Sequence, residues 1–192
     1  MWWPKSDEIC YDEISKGIAF LKQAAALCHH KRCAVQAGGN AGMYPIALAG
    51  IFCNVVTAEP ENINFRCLSI NIVSRPDIKA HHAAFAAEDG EVELQGWDKN
   101  TVSFKTVPGS GYKAITIDSL ALPDVDFIQL DIEGGEAEAL VGALDTIERC
   151  RPVIMVERRG HGPDPHEMLE QMGYQHKMSN DTDSVYLFEG HA

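Results

Sequence analysis

The sequence predicts an α/β domain with a mostly parallel central sheet and helices on both of its faces. One short apolar run, Cys33–Ala37, is followed by a glycine turn, an apolar helical run to about Phe52 and a second strand at 55–58. A second buried run, Phe127–Leu130, ends at an acid and leads into another helix. Strands that alternate with helices are typical of parallel sheets. Two β-type runs at 174–178 and 184–188 add a C-terminal antiparallel hairpin.

Length and charge limit the possible functions. A chain of 192 residues favours a single domain, which we divide into a lead-in and N-terminal helix, 1–32, and a core, 33–192. The formal net charge of −12 argues against a nonspecific nucleic-acid surface, because such a surface needs Lys and Arg along a groove. It also argues against anionic membranes. We therefore expect neither nucleic acid nor a membrane as a partner.

The cysteines and the amino terminus indicate the cellular compartment. None of the six cysteines forms a CxxC pair, so we expect buried reduced thiols rather than disulfides or a zinc site. His29 and His30 stand in a charged cluster and are expected at a solvated helix end, and we expect no metal. No apolar run approaches the roughly 18 residues of a membrane span. The first ten residues do not form a signal peptide, so we expect a soluble, cytoplasmic protein.

The glycine turn at 38–42 is the first candidate ligand site. Glycines allow positive φ and a close approach of the backbone to a ligand, and the amides that open the next helix suit a carboxylate or phosphate. Glu59 follows Gly38 by 21 residues, where a strand-end acid can accept hydrogen bonds from both ribose hydroxyls. The dinucleotide fingerprint fails, because Asn40 and Met43 stand at two of its glycine positions. The looser turn is typical of S-adenosylmethionine (SAM) methyltransferases; a structural turn without a ligand is the alternative.

The remaining elements follow from periodicity. Helices are predicted at 12–28, 61–73, 136–150 and 165–173, the third interrupted at Gly142, and further strands at 78–87 and 153–156. Residues 91–97 and 101–107 predict an antiparallel hairpin insertion, and 108–111 a loop.

Other segments have weaker signals. His81 and His82 are consecutive in a predicted strand and therefore face opposite sides, so they cannot bind one metal together. The Trp2-Trp3-Pro4 segment is expected to pack as an apolar anchor rather than to form a flap. The loop at 158–165, with Arg159 and His161, is a candidate substrate loop.

Acids follow three of the predicted strands, at Glu59, Asp131 and Glu157. In an open parallel sheet the ligand cleft lies beyond the carboxyl ends of the strands, so these acids should meet. Glu133 and Glu136 add two more carboxylates. Such a cleft suits a cationic sulfonium and amine better than a polyphosphate. The alternative for Glu133 and Glu136 is helix capping, which we favour for Glu136.

The chain resembles the FkbM family of SAM-dependent methyltransferases over roughly residues 34–157. The family's first motif, V-D-V-G-A-N-x-G, corresponds to V-Q-A-G-G-N-A-G at 35–42, and its F-E-P phrase to A-E-P at 58–60. Its signature, T-L-D-S … K-x-D-x-E-G-x-E, corresponds to T-I-D-S at 116–119 and Q-L-D-I-E-G-G-E at 129–136. The resemblance implies a Rossmann-like class I methyltransferase fold and methyl transfer, most often to a hydroxyl oxygen.

The resemblance also implies the site residues. The cofactor SAM, with S-adenosylhomocysteine (SAH) as its product, would contact Gln36, Ala37, Gly38, Gly39, Asn40, Gly42, Glu59, Pro60, Ala84, Phe85 and Asp131. Glu59 would bind the ribose, while Pro60 and Ala84–Phe85 would flank the adenine. Asp131 and Glu133 are the candidate catalytic residues, Asp131 serving the SAM amine and Glu133 the substrate, with His161 as an alternative base.

Two departures from the family pattern leave two functions open. Gln36 stands where the family usually has Asp, and Gln129 replaces the usual Lys. The first hypothesis is an active O-methyltransferase that acts on a hydroxyl of a small molecule or glycan. The second is a catalytically weak or inactive SAM- or SAH-binding domain that acts as a binding or assembly module. A nicotinamide-dependent dehydrogenase is excluded by the glycine spacing and by the lack of a Tyr-x-x-x-Lys pair.

Overall fold

A computed structural model describes residues 1–4, 10–96, 104–157 and 164–190. The strands are β1 (Cys33–Ala37), β2 (Asn54–Ala58), β3 (Ile78–His81), β4 (Ala84–Phe85), β5 (Gly90–Gly96), β6 (Phe104–Pro108), β7 (Tyr112–Ile115), β8 (Phe127–Leu130), β9 (Val153–Glu157), β10 (Tyr174–Ser179) and β11 (Asp183–Phe188). The helices are α1 (Cys10–Ala26), α2 (Met43–Leu48), α3 (Asn62–Asn71), α4 (Glu136–Val141), α5 (Leu144–Cys150) and α6 (Pro165–Gln171).

The central sheet has seven strands in the order β10-β11-β9-β8-β1-β2-β3. The strands β3, β2, β1, β8 and β9 are parallel to one another, and β11 runs antiparallel to both β9 and β10. This arrangement confirms the predicted parallel sheet and its closing hairpin. The strand order changes direction at β1, and in open α/β sheets the ligand crevice lies at such a switch point.

Apolar side chains cover both faces of the sheet because its central strands are buried and apolar on both sides. On one face the strands pack against α4, α5 and α6, through Val35, Ile128, Ile154, Leu140, Ile147 and Leu169. On the other face they pack against α1 and α2, through Ala34, Phe127, Met155, Leu21 and Leu48. Full burial of one such large apolar side chain contributes about 1.5–3 kcal/mol. The two layers therefore fix the carboxyl ends of the strands, where the cavity opens.

The predicted third strand at 78–87 is wrong in its length. β3 ends at His81, which pairs with Ala58, the last residue of β2. Beyond Ala58 the neighbouring strand offers no further ladder, so the chain leaves the central sheet. Residues Ala84–Phe85 then form β4 and join a second sheet.

This second sheet has four strands in the order β4-β7-β5-β6 and is inserted between β3 and β8. The predicted hairpin is confirmed, since β5 and β6 pair in antiparallel fashion. Its turn, at 97–103, lies outside the described residues. The sequence did not reveal β7, because its four residues, Tyr-Lys-Ala-Ile, are too few to show a period.

The predicted helix at 136–150 is two helices, α4 and α5, which are separated at Gly142. A Cβ at Gly142 would overlap the backbone carbonyl oxygen of Ala86. The Gly142 carbonyl oxygen accepts a hydrogen bond from the Asp118 amide at 2.9 Å. The segments that follow β4 and β7 therefore pack closely against Gly142. This packing explains why the position is a glycine and why the helix breaks there.

The helix ends agree with local chemistry. Glu61 caps α3, because its Oε2 accepts hydrogen bonds from the amides of Ile63 at 2.7 Å and Asn64 at 2.8 Å. Lys31 donates from Nζ to the Cys28 carbonyl oxygen at 2.6 Å just beyond the end of α1, and His29 and His30 are exposed as predicted. Within the described ranges, none of the helices combines the length and apolar character that crossing a membrane requires.

Candidate active site

A cavity of about 480 Å³ opens at the carboxyl ends of the central strands. Its walls come from the glycine turn after β1, the acid after β2, the loop after β8 and the end of β9. Residues of α1, α2, α3, β4, β6 and the turn between β10 and β11 complete it. Within the described residues no group of acids, histidines and cysteines has a metal-binding arrangement.

The glycine turn after β1 lies against the loop after β8. Gly38 has a φ of +80°, and a Cβ there would overlap the carbonyl oxygen of Asp131. Asn40 also has a positive φ, +44°. Both Gly38 and Asn40 line the cavity, as the sequence predicts. Gly38 is therefore needed for conformation and for space at once.

Gln36 lies beneath this turn rather than in the cavity wall. Its side chain is fully buried, and Nε2 donates to the carbonyl oxygens of Ala37 at 2.7 Å and Gly38 at 3.0 Å. Its Oε1 accepts a hydrogen bond from the Thr57 hydroxyl at 2.5 Å. Gln36 thus holds the turn from below, and its predicted cofactor contact stays a prediction. Ala37 at the end of β1, and Gly39 and Gly42 in the turn, are not among the lining residues either.

Glu59 reaches the cavity from the end of β2 and is 6% exposed. Its Oε2 accepts a hydrogen bond from the Asn40 amide at 2.8 Å, and its Oε1 accepts one from the Glu61 amide at 2.8 Å. Burial raises the pKa of Glu59 to about 7, although these backbone amides oppose the shift. The carboxyl group therefore joins the glycine turn to the start of α3 and changes charge near neutral pH.

An apolar wall stands beside Glu59. Pro60, Ala84 and Phe85 all line the cavity, and their place beside the adenine stays a prediction. His82 stacks on Phe65 outside this wall, with ring centroids 4.3 Å apart and planes 6° from parallel. The Nε2 atom of His82 lies 3.1 Å from the Pro60 carbonyl oxygen, so this histidine supports the wall without lining the cavity.

Three carboxyl groups stand side by side on adjacent strands. Glu157 at the end of β9 pairs in register with Asp183 at the start of β11. Asp131 follows Leu130, the partner of Val156, and so lies beside Glu157. Burial raises the pKa of Asp131 well above its usual range, and the carboxyl groups of Glu157 and Asp183 raise it further.

The loop after Asp131 is held by Glu136. The Glu136 side chain is buried, and its Oε1 accepts hydrogen bonds from the amides of Ile132 at 3.0 Å and Gly134 at 3.3 Å. These amides precede α4, so Glu136 holds the loop before the helix, and the capping role that we favoured for it stays a prediction. Glu133 lines the cavity and has a φ of +58°, which is rare for a side chain of its size and is typical of functional loops.

The sequence did not reveal several parts of the cavity. From α1 come Glu13 and Lys16, whose side chains form a 2.9 Å ion pair, and from the β10–β11 turn come residues 180–183. In the second sheet, Thr106 also lines the cavity. No sequence signal marks these contributions, because they depend on how distant elements pack. Residues 158–163 of the predicted substrate loop, including Arg159 and His161, lie outside the described residues.

Comparison with known families agrees with this geometry. The sequence model of one family, described as the Methyltransferase FkbM domain, matches residues 50–179. The chain belongs to the FkbM methyltransferase family. The FkbM match contains Glu59, Asp131 and Glu133, whereas the glycine turn precedes it. A search of curated proteins found no match.

Solved structures show the same fold. An FkbM methyltransferase from Methylobacillus flagellatus is 20% identical, with a TM-score of 0.60 over 82% of this chain. The chain spans 43% of that protein's length. A precorrin 8W decarboxylase from Methanobacterium thermoautotrophicum is 13% identical, with a TM-score of 0.57 over 96% of this chain and 92% of its own. A precorrin-6y C5,15-methyltransferase from Geobacter metallireducens is 11% identical, with a TM-score of 0.57 over 89% and 86%. The fold is thus that of the Rossmann-like methyltransferases.

Proposed function

We propose that this FkbM protein transfers a methyl group from SAM to a hydroxyl of a small molecule or glycan. The observation that carries the proposal is the meeting of Glu59, the Gly38 turn and Asp131 around one cavity. These residues come from the ends of three adjacent parallel strands. Their chemistry fits the three parts of SAM: ribose hydroxyls, an amino-acid backbone and a cationic centre.

Each wall has a part in holding the cofactor. Glu59 would accept hydrogen bonds from the ribose hydroxyls, and Pro60 and Phe85 would flank the adenine. The bare backbone at Gly38 leaves space that a Cβ would fill. Asp131 and the neighbouring carboxyl groups favour positive charge. When bound, SAM supplies an electrophilic methyl group on a sulfonium.

The chain's own residues would then align the acceptor and remove its proton. Asp131 in its ionised form is our first choice for the general base, because the burial and the neighbouring carboxyl groups that raise its pKa also make the carboxylate a stronger proton acceptor. Glu133, on the same loop, would orient the acceptor hydroxyl. Alignment of the acceptor with the methyl group and exclusion of water account for much of catalysis in such transfers.

The charged residues that line the cavity favour a methyl acceptor without negative charge. Glu133 and Asp181 line the cavity, as do Glu13 and Lys16, whose ion pair offsets their charges. Anionic acceptors would meet repulsion from these carboxylates. Neutral hydroxyl compounds, including sugars, meet hydrogen-bond acceptors without that repulsion.

SAH affinity should depend on pH through Glu59. Because the pKa of Glu59 is about 7, a smaller fraction of this group is ionised at lower pH, and ribose hydroxyls donate best to the ionised form. We expect calorimetric titration of SAH to show affinity about tenfold higher at pH 8 than at pH 6. A Glu59→Gln variant should bind more weakly and lose the pH dependence.

The same titration tests the proposed function. Equal SAH affinity at both pH values, unchanged in Glu59→Gln, would remove Glu59 from the ribose site. An absence of SAH and SAM binding at millimolar concentration would contradict SAM dependence altogether. Transfer of labelled methyl from SAM to a panel of hydroxylated acceptors measures activity.

A binding module without turnover is the second candidate, and one observation favours it. Gln129, where the family pattern has Lys, is fully buried on β8, in register with Gln36 on β1. Neither amide atom of Gln129 has a hydrogen-bond partner among the described residues. Tight SAH binding without transfer to any acceptor of the panel would support this candidate.

A further inference from the structure

The side chain of Asn64 is buried in the first turn of α3, and the family pattern does not explain why. It is the third residue of α3, and its side chain is 2% exposed although Asn62 and Ile63 beside it are exposed. It lines the same cavity as Glu59. Its Oδ1 atom is buried and has no hydrogen-bond partner among the described residues. Buried polar atoms nearly always have a partner, so this acceptor needs a donor from outside the chain.

The orientation of the Asn64 amide follows from its neighbour. The Asn64 side chain stands close enough to Glu59 to help hold down the pKa of this carboxyl group. Only the NH₂ end of an amide can donate to a carboxylate, so Nδ2 faces Glu59. Oδ1 is then left as an acceptor a short distance from the carboxylate.

Two capping interactions fix Asn64 in this place. The Asn64 amide donates to Glu61 Oε2 at 2.8 Å, and the Glu61 amide donates to Glu59 Oε1 at 2.8 Å. The first turn of α3 is therefore tied to the end of β2. The Asn64 side chain has little freedom to turn its oxygen elsewhere, so Oδ1 is preorganised for a ligand donor.

We propose that Asn64 Oδ1 accepts a hydrogen bond from one of the two vicinal ribose hydroxyls of the cofactor, next to the hydroxyl held by Glu59. This inference rests on the proposed SAM-binding function. Two oxygens of a vicinal diol are close enough to reach neighbouring acceptors, and both Glu59 oxygens already accept a backbone amide. Glu59 and Asn64 would thus share the recognition of the ribose, and the site would discriminate against deoxyribose.

The test combines a ligand change with a protein change. SAH and its 2′-deoxy and 3′-deoxy analogues are titrated into the wild type, Asn64→Ala and the control Asn62→Ala. Removal of the contacted hydroxyl should weaken binding to the wild type and to Asn62→Ala about tenfold. In Asn64→Ala, SAH itself should bind about tenfold more weakly than it binds to the wild type. The same deoxy analogue should then bind to this variant less than about twofold more weakly than SAH does.

The outcomes separate recognition from a general loss of structure. If Asn64→Ala keeps the full penalty for both deoxy analogues, Asn64 does not contact the ribose and the proposal is overturned. The base can be tested with an SAH analogue that has an oxygen in place of the 6-amino group of adenine. If Asn64→Ala changes the affinity penalty of this analogue alone, Asn64 contacts the adenine and the proposal is equally overturned. If Asn64→Ala does not fold, Asn64→Leu, which has a similar shape but no acceptor oxygen, takes its place and should lose the deoxy penalty in the same way. Failure of the wild type to bind SAH would contradict the proposed function itself.

Discussion

Replacement of Asp131 by Asn is expected to abolish most methyl transfer and, at the same time, to stabilise the folded protein at pH 8. The side chain keeps its shape but loses its charge and its ability to accept a proton. Loss of a general base typically lowers kcat by about 10²–10⁴-fold. Glu133→Gln, on the same loop, is the matched variant and should mainly raise KM, with a smaller effect on kcat.

The sign of the stability change follows from the pKa of Asp131. Its folded-state pKa lies well above the ordinary value near 3.8, so the folded protein holds a proton that the unfolded chain has released. The free energy of unfolding therefore falls as the pH rises from the unfolded-state pKa of Asp131 to its folded-state pKa. Above the folded-state pKa, the ionised group destabilises the folded protein. Asp131→Asn removes this penalty, so its melting temperature should exceed that of the wild type at pH 8 but not near pH 3.

Parallel measurements of kcat and melting temperature distinguish catalysis from folding. A variant that is more stable and yet inactive has lost chemistry, not structure. Wild-type kcat in Asp131→Asn, with a large loss in Glu133→Gln, would move the base to Glu133. A lower melting temperature at pH 8 would contradict the burial of an unfavourable charge at Asp131.

The Gly38→Ala variant should lose both stability and SAH binding. The new Cβ meets a positive φ and overlaps the Asp131 carbonyl oxygen, a backbone atom that cannot rotate away. Left-handed strain and overpacking together predict a loss of about 2–5 kcal/mol in the free energy of unfolding. Any relief must push the glycine turn away from the loop after β8, and this movement distorts both walls of the cofactor site.

Gly173→Ala is a close control. Gly173 has nearly the same φ, +84°, but its nearest contact is ordinary, 3.4 Å to Phe188. It should lose only about 1–2 kcal/mol and keep SAH affinity. Denaturant unfolding and SAH titration of the two variants measure both effects. Equal destabilisation, with SAH binding intact in Gly38→Ala, would mean that the approach of the turn to Asp131 is not needed for the site.

The central sheet could be predicted because its strands are short, apolar and separated by helical runs. The buried run Phe127–Leu130 coincides with β8, and the closing hairpin has the predicted direction. The second sheet was only partly predictable. A two-residue strand such as Ala84–Phe85 has no period of its own and is defined by its partner Ala114–Ile115.

The residues of the candidate site also divide into those that the sequence could predict and those that it could not. Glu59 and Asp131 were recognisable because an acid at the carboxyl end of a parallel strand has a defined position. Asn64 was not, since a buried asparagine in a helix looks like a surface residue until its helix is docked. The contributions of Lys16 and Asp181 also depend on packing between elements that are far apart in sequence.

The register of β1 and β8 places side by side the two positions at which this chain departs from the family pattern. Gln36 and Gln129 are direct cross-strand partners, and the family pattern has Asp and Lys at these places. Either ionic residue alone would bury a charge without its counter-ion, at a cost of about 3–5 kcal/mol. A change at one of the two positions is therefore expected to depend on the residue at the other. Melting temperatures of Gln36→Asp, Gln129→Lys and the double variant should show this epistasis, with the double variant more stable than either single one.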